Sequence, residues 1–236
     1  MSWIENPRFF REMKTNGLKD SGRSLVFNCA GVLDSRSDRN LLKKVNVELP
    51  IMLQQVCSEK GATLVTFGTI MENYPNYCES NPYLYSKLLW AKQIQKSENN
   101  LHLQLHTLYG GKIQSHMFLG QIYESLKNNM VFAMSDGRQL REYHYIDEAA
   151  EIISLFVSQG SYGIKQISSG KPLRLGELAT KLYQYFGKSE LLELASFKSH
   201  ELENINDIYE PDELIKKFPF RDSFNGIVKW LSELGI

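Results

Sequence analysis

The sequence predicts an α/β fold built on a parallel sheet, with a smaller lobe woven from its later segments. Two observations carry the prediction. From residue 25 to 110, apolar runs of strand length alternate with amphipathic helices in the order strand, helix, strand, helix, strand, the pattern of a parallel sheet with covering helices. Beyond residue 111 the alternation turns irregular, with short strands set among four helical stretches. No period of ~20–50 residues repeats and no segment is of low complexity, which excludes a solenoid or a propeller.

The elements follow from local pattern. Pro7 to Asn16 reads as a short helix ended by Gly17, and LVFNCAG (25–31) as a buried strand stopped by glycine. Asp38 to Lys60 spaces Leu41, Leu42, Val45, Val47, Leu49, Met52, Leu53 and Val56 mostly at helical intervals, and Gly61 ends it before the strand ATLVTFGT (62–69). Residues 83–97 are helical again, and LHLQLHTLYGG (101–111) alternates leucine with polar residues at the two-residue period of a strand. Next come a helix at 115–129, a strand at 131–134, a strand passing into a helix near Asp147 within 143–157, and a strand at 163–169. Helices at 175–186 and 223–234 complete the chain. The expected division is a core of 1–111, to which 137–169 return, and a substrate lobe of 112–136 and 170–236.

Composition narrows the function classes. The 236 residues suffice for a core of normal size, and 27 Lys+Arg against 27 Asp+Glu give no reason to expect nucleic acid or an anionic membrane as partner. Cys29, Cys57 and Cys78 are odd in number and irregular in spacing, which speaks for a reducing compartment, the cytoplasm by default, and against a disulfide framework or a zinc site. Apolar runs fall short of the ~18 residues of a membrane span, and the first residues do not resemble a signal peptide.

NPYLYSKLLWAK (81–92) carries the chemistry. Tyr83 and Lys87, four apart, share a helix face. A tyrosine, with an ordinary pKa near ~10, works as an acid or base at neutral pH when a nearby cation favours the phenolate, and Lys87 is placed to do that. An isolated Y-x-x-x-K is usually a solvated helix face. Here Thr69 stands at the C-terminal end of a predicted strand, the edge where open α/β sheets hold their ligands, and a hydroxyl there can donate to a substrate oxygen. The earlier strand ends in Asn28-Cys29-Ala30-Gly31, small enough for a cofactor to approach the backbone.

Together these segments resemble the extended short-chain dehydrogenases/reductases of the nucleotide-sugar epimerase, dehydratase and reductase group. FNCAG (27–31) is similar to that family's Asn/His-x-Ala-Ala/Gly strand end, VNVELP (45–50) to its Asn-Val helix, TFGT (66–69) to its Ser/Thr strand end and YLYSK to its catalytic helix. TLYGG (107–111), DGRQLREYHYIDEAAEII (136–153) and GIKQISSGKPLRLGELA (163–179) follow in family order. The resemblance implies a Rossmann-like doubly wound sheet and NAD or NADP as cofactor. It implies Thr69 polarising a sugar oxygen, Tyr83 as acid/base, and Lys87 binding nicotinamide ribose while lowering the tyrosine pKa. Asn28, Ala30 and Gly31 would line the cofactor, Arg141 would lie near the substrate diphosphate, and Asp147 would be a structural N-cap.

The resemblance has a gap. No G-x-G-x-x-G occurs. The strand at 27–31 matches the family's fourth, so on the order of 50 residues carrying the pyrophosphate turn are expected to be missing. The sheet is then incomplete, its asparagine strand an open edge that invites pairing. A homodimer through helices 38–60 and 83–97, or a partner chain on that edge, is expected.

Other candidates read as structural. His102 and His106 are separated by about 13 Å along a strand and do not share a metal through that spacing. Met52, Met117, Met130 and Met134 read as packing residues, and EPDELIKKFPFRD (210–222) as a solvated helix and turn. Tyr85 lacks the four-residue step to Lys87. Two functions remain: a nucleotide-sugar epimerase or reductase acting by hydride transfer, not fully active as this chain alone, or a non-catalytic subunit that keeps the scaffold. Dehydration is disfavoured because Thr69-Ile70-Met71 lacks the Asp-Glu that follows the threonine in dehydratases.

Overall fold

The computed structural model describes residues 24–95, 99–198 and 206–236; the helix expected at 7–16 lies outside them. In chain order the elements are β1 (Leu25–Asn28), α1 (Arg39–Lys43), α2 (Leu49–Glu59), β2 (Thr63–Thr69), α3 (Pro75–Glu79), α4 (Pro82–Ile94) and β3 (Asn100–Leu105). There follow β4 (Thr107–Tyr109), α5 (Phe118–Asn128), β5 (Phe132–Ser135), β6 (Leu140–Arg141), β7 (Tyr143–Tyr145) and α6 (Ile146–Ser158). The last are β8 (Gly163–Ile167), β9 (Leu173–Arg174), α7 (Leu175–Tyr185), β10 (Leu192–Phe197) and α8 (Ser223–Glu233). Among the described residues two compact units result, one comprising residues 24–104 with Phe156–Lys165, the other Leu105–Leu155 with Gln166–Ile236.

The first unit carries the expected α/β fold. Its four-stranded parallel sheet has the order β1-β2-β3-β8, with Leu25 opposite Thr63 and Asn28 opposite Thr66. Leu64, Val65 and Thr66 are buried in succession, as in a strand covered on both faces. Leu49, Leu53 and Cys57 of α2 and Trp90 and Ile94 of α4 pack with Leu64 into one cluster.

The helix expected over 38–60 runs as α1, a π-helical turn at Lys44–Glu48, and α2. Pro50 explains the interruption. It has no N–H for the Asn46 carbonyl and its ring crowds that turn, so the helix widens just before it and the Leu49 N–H bonds to the Lys44 carbonyl. Asp38 caps the start through the amides of Asn40 and Leu41.

The strand expected over 101–111 is two strands. β3 ends at Leu105 and, after His106, β4 pairs in parallel with β7. The alternation in β3 also has an unexpected outcome: its polar residues Asn100, His102 and Gln104 are as buried as Leu101 and Leu103.

The second unit packs Ile122 and Leu126 of α5, Leu182 and Tyr183 of α7, and Ile227 and Leu231 of α8 around one core. β5 pairs in parallel with β10 and β6 antiparallel with β9. Gly137, at φ +66, lets its loop lie on the start of α7, because a Cβ there would sit 2.3 Å from the Gly176 nitrogen. Asp147 lies inside the first turn of α6, which opens at Ile146, so it faces the positive helix end without being the cap. Among the described residues no helix is long and apolar enough to cross a membrane.

Candidate active site at the end of β2

Thr69 closes β2 and caps the short helical turn Ile70–Asn73 that follows. Its hydroxyl oxygen accepts from the Met71 amide at 3.3 Å, which leaves the hydroxyl hydrogen to donate elsewhere. Tyr83 and Lys87 project from α4, whose start is fixed by Pro82 in the first turn and by Asn81, which accepts from the amides of Tyr83 and Leu84. Tyr83 packs with Met71 and Tyr77 against Cys78, Leu84 and Leu88. The Lys87 ammonium donates to the Phe67 carbonyl at 2.9 Å, two residues before Thr69. Lys87 and Thr69 therefore meet around Phe67-Gly68-Thr69, and Tyr83 stands one turn before Lys87 on α4, in the cluster that also takes Met71.

Beneath that tripeptide lies a buried charge. The Glu72 side chain is 1% exposed and accepts from the Thr69 amide on Oε1 at 3.0 Å and from His102 Nε2 and Gln104 Nε2 on Oε2, each at 3.0 Å. His102 Nδ1 meets the Thr66 hydroxyl at 2.8 Å, and the same hydroxyl accepts from the Trp90 indole at 3.1 Å. With Glu72 ionised, a neutral His102 protonated on Nε2 satisfies both contacts, accepting from Thr66 at Nδ1. Gly68 makes room for the pair: a Cβ there would stand 2.4 Å from both Glu72 Oε1 and His102 Nε2.

The electrostatics correct one expectation. Burial pushes the Tyr83 hydroxyl up to about 12, and the Glu72 carboxylate adds to the rise. The Lys87 ammonium, bonded to a carbonyl, does not bring it down. Burial lowers Lys87 itself while Glu72 opposes that shift. So raised, the Tyr83 hydroxyl is protonated at neutral pH.

A second set of contacts ties the end of β1 to α4. Asn28 Oδ1 accepts from the Ala30 amide at 3.2 Å, and the exposed Gly31 presents a face where a Cβ would find Asn46 Oδ1 at 3.8 Å and Lys87 Nζ at 3.9 Å. Asn46, in the π turn, accepts from the Val32 amide and donates to the Val32 carbonyl and to Ser86 Oγ, each at 2.9 Å. Ser86 in turn donates to the Tyr83 carbonyl at 2.7 Å. Asn28, Ala30 and Gly31 thus belong to the same unit as Thr69, Tyr83 and Lys87, whereas Arg141 belongs to the other, where it donates to the Leu140 carbonyl at 2.8 Å.

The model of the NAD dependent epimerase/dehydratase family matches residues 15–167. The chain belongs to that family. No curated protein sequence is a match. Among solved structures, a dTDP-glucose 4,6-dehydratase from Streptomyces venezuelae with NAD and TYD bound is 18% identical at a TM-score of 0.71, over 89% of this chain and 73% of that one. A UDP-N-acetylglucosamine 4-epimerase from Methanobrevibacter ruminantium M1 in complex with UDP-N-acetylmuramic acid is 15% identical at 0.70, over 89% and 77%. The enzyme WbmG from Bordetella bronchiseptica in complex with NAD is 17% identical at 0.71, over 90% and 73%. At these identities the likeness establishes the fold, a Rossmann-like α/β sheet.

For this epimerase/dehydratase family chain, sequence reasoning missed Glu72, His102 and Gly68 as parts of the site. One signal was present. T-I-M-E (69–72) has the spacing of a capping box, and both of its bonds form.

Proposed function

We infer that this chain serves nucleotide-sugar chemistry of the epimerase or reductase kind, as an oxidoreductase or isomerase, with Thr69 holding the sugar oxygen and Tyr83 giving or taking its proton. The observation that supports the reading is the Lys87 ammonium held on the Phe67 carbonyl, two residues before Thr69 at the end of β2, with Tyr83 one turn before Lys87 on α4. Similar solved structures hold NAD with nucleotides or sugar nucleotides. Bound NAD or NADP would supply the hydride. The residues present fit its nicotinamide-ribose end: Gly31 offers an open backbone face and Lys87 an ammonium beside it. Asn28 and Ala30 shape that face, and Arg141 is our candidate for the substrate diphosphate. No glycine-rich dinucleotide turn is in the sequence to hold the pyrophosphate, so activity of this chain by itself is expected to be incomplete.

Dehydration stays disfavoured. The carboxylate nearest Thr69 in sequence, Glu72, is already bonded to Thr69, His102 and Gln104. A second reading, a non-catalytic subunit, draws support from β1, which stands at the edge of the sheet among the described residues and would take a strand from a partner or from a second copy. The exposed Leu41, Met52, Val56 and Tyr85 favour a homodimer through α1, α2 and α4. Three unpaired cysteines suit the cytoplasm.

Fluorescence titration of the purified chain with NADH and NADPH tests the reading. Saturable binding that weakens tenfold or more in Lys87→Ala, while Tyr83→Phe still binds but loses turnover, is the expected result. Absence of binding together with a stable complex with another protein would move the conclusion to the subunit.

A further inference from the structure

We propose that the cavity between α1 and α4 is a second binding site, for a small aromatic carboxylate. It is separate from the Thr69/Tyr83 site and does not depend on that reading. On α4 the lining residues Pro82, Tyr85, Ser86 and Leu89 recur at the i, i+3, i+4, i+7 spacing of one helix face, whereas Tyr83 and Lys87 stand on another. Arg39, Leu42 and Lys43 of α1 and Val47 of the π turn line the opposite side. Helix faces so matched normally close on each other. Here they stay apart around a cavity of about 420 Å³, within the ~300–1,000 Å³ of small-molecule sites.

The lining sets the chemistry of the ligand. Leu42 and Val47 are buried and give the cavity an apolar floor. Ser86, buried beside them, donates to the Tyr83 carbonyl and accepts from Asn46, so the floor is fixed by bonds made before any ligand arrives. Tyr85, 43% exposed, offers a ring on which a flat body can stack. Charge completes the set. Lys43 is paired with Glu48 at 3.2 Å, but Arg39 has no hydrogen bond or ion pair among the described residues. Against these two cations the lining has one carboxylate, Glu79, so a bound monoanion brings it to neutrality. A guanidinium left free beside an apolar floor suits the two oxygens of a carboxylate. Of the exposed apolar residues that favour a homodimer, Tyr85 alone also lines the cavity, and the two surfaces can therefore be told apart.

The test is a titration of the full 15N-labelled chain, without cofactor, with naphthalene-2-carboxylate as probe, followed by amide shifts. Saturable shifts centred on residues 39–47 and 79–89, with one probe per chain, are expected. Affinity should fall about tenfold in Arg39→Gln, and by a similar factor for the uncharged naphthalene-2-carboxamide. Leu89→Trp, which fills the cavity, should abolish binding, while Met52→Ser, outside the cavity, should leave it unchanged. Equal binding of carboxylate and carboxamide, an Arg39→Gln variant as good as the wild type, or a response to Met52→Ser overturns the proposal. So does binding that disappears as the chain self-associates, because the cavity then belongs to an interface between copies. A chain that binds the probe but neither NADH nor NADPH keeps this site and loses the enzymatic reading; the opposite pattern removes this site alone.

Discussion

Glu72 in the first unit and Glu142 in the second are both carboxylates with side chains 1% exposed, and both are paired with histidine. Their partners differ. Glu142 accepts from His144 at 3.0 Å, from the Ser168 hydroxyl and the Ser169 amide at 2.6 Å and from the Ser169 hydroxyl at 2.8 Å, joining β7 to the loop after β8. Glu72 accepts fewer bonds, one of them from a candidate site residue, and its field reaches Tyr83 and Lys87. The same buried chemistry thus serves as a lock in one unit and as a source of potential in the other.

The contrast can be broken most forcefully at Glu142. Glu142→Ala leaves His144 and Ser169 without that acceptor and Ser168 with only the Tyr209 carbonyl, and is expected to cost about 3–5 kcal/mol, read as a lower urea midpoint, whereas Glu72→Gln should cost less. Acid comes next. His106, pushed down to about 4 chiefly by burial, stays neutral in the folded protein while the unfolded chain takes up a proton below about 6.5. The unfolded state then binds more protons, so stability falls as pH drops through that window. Burial raises Glu142, but its bonds outweigh this and hold it at about 2, so its contribution is present above about 4.5 and is lost towards 2. Hydrogen exchange should show the second unit loosening as pH falls from about 6.5 towards 4, before Glu142 begins to protonate.

Gly68→Ala sharpens the comparison from the other side. The added methyl drives Glu72 from His102, with an expected loss of about 1–3 kcal/mol and a downward move of the Tyr83 midpoint; an unchanged midpoint would mean that the clash is absorbed elsewhere. The smallest effect is expected for Asn81→Ala, which removes the cap of α4 at a cost of about 1 kcal/mol, seen as a slightly lower Tm with Tyr83 chemistry retained.

Much of the first unit was legible in the sequence because its signals are local. Strand-length apolar runs, Gly61 after α2, and Tyr83 four residues before Lys87 each report on their own neighbourhood. The capping-box spacing of Thr69 and Glu72 was legible too and went unread. β3 was misleading for a physical reason: Asn100, His102 and Gln104 alternate with leucines like the wet face of a strand, yet all are buried, because their partners, among them Glu72 and Thr66, lie about thirty or more residues upstream. In the second unit β10 escaped notice, since its six residues are mostly exposed and it is defined by pairing with β5.

The Asn46 side chain has a consequence of a mechanical kind. One amide both receives from and gives to the backbone of Val32, as a single residue of a neighbouring strand would, and its remaining N–H reaches Ser86, which bears on the Tyr83 carbonyl. The loop after β1 and the first turn of α4 are thereby coupled like two ends of a short connecting rod. An aspartate at 46 would fit the space and still break the rod, because it could receive from Val32 but push on nothing beyond it.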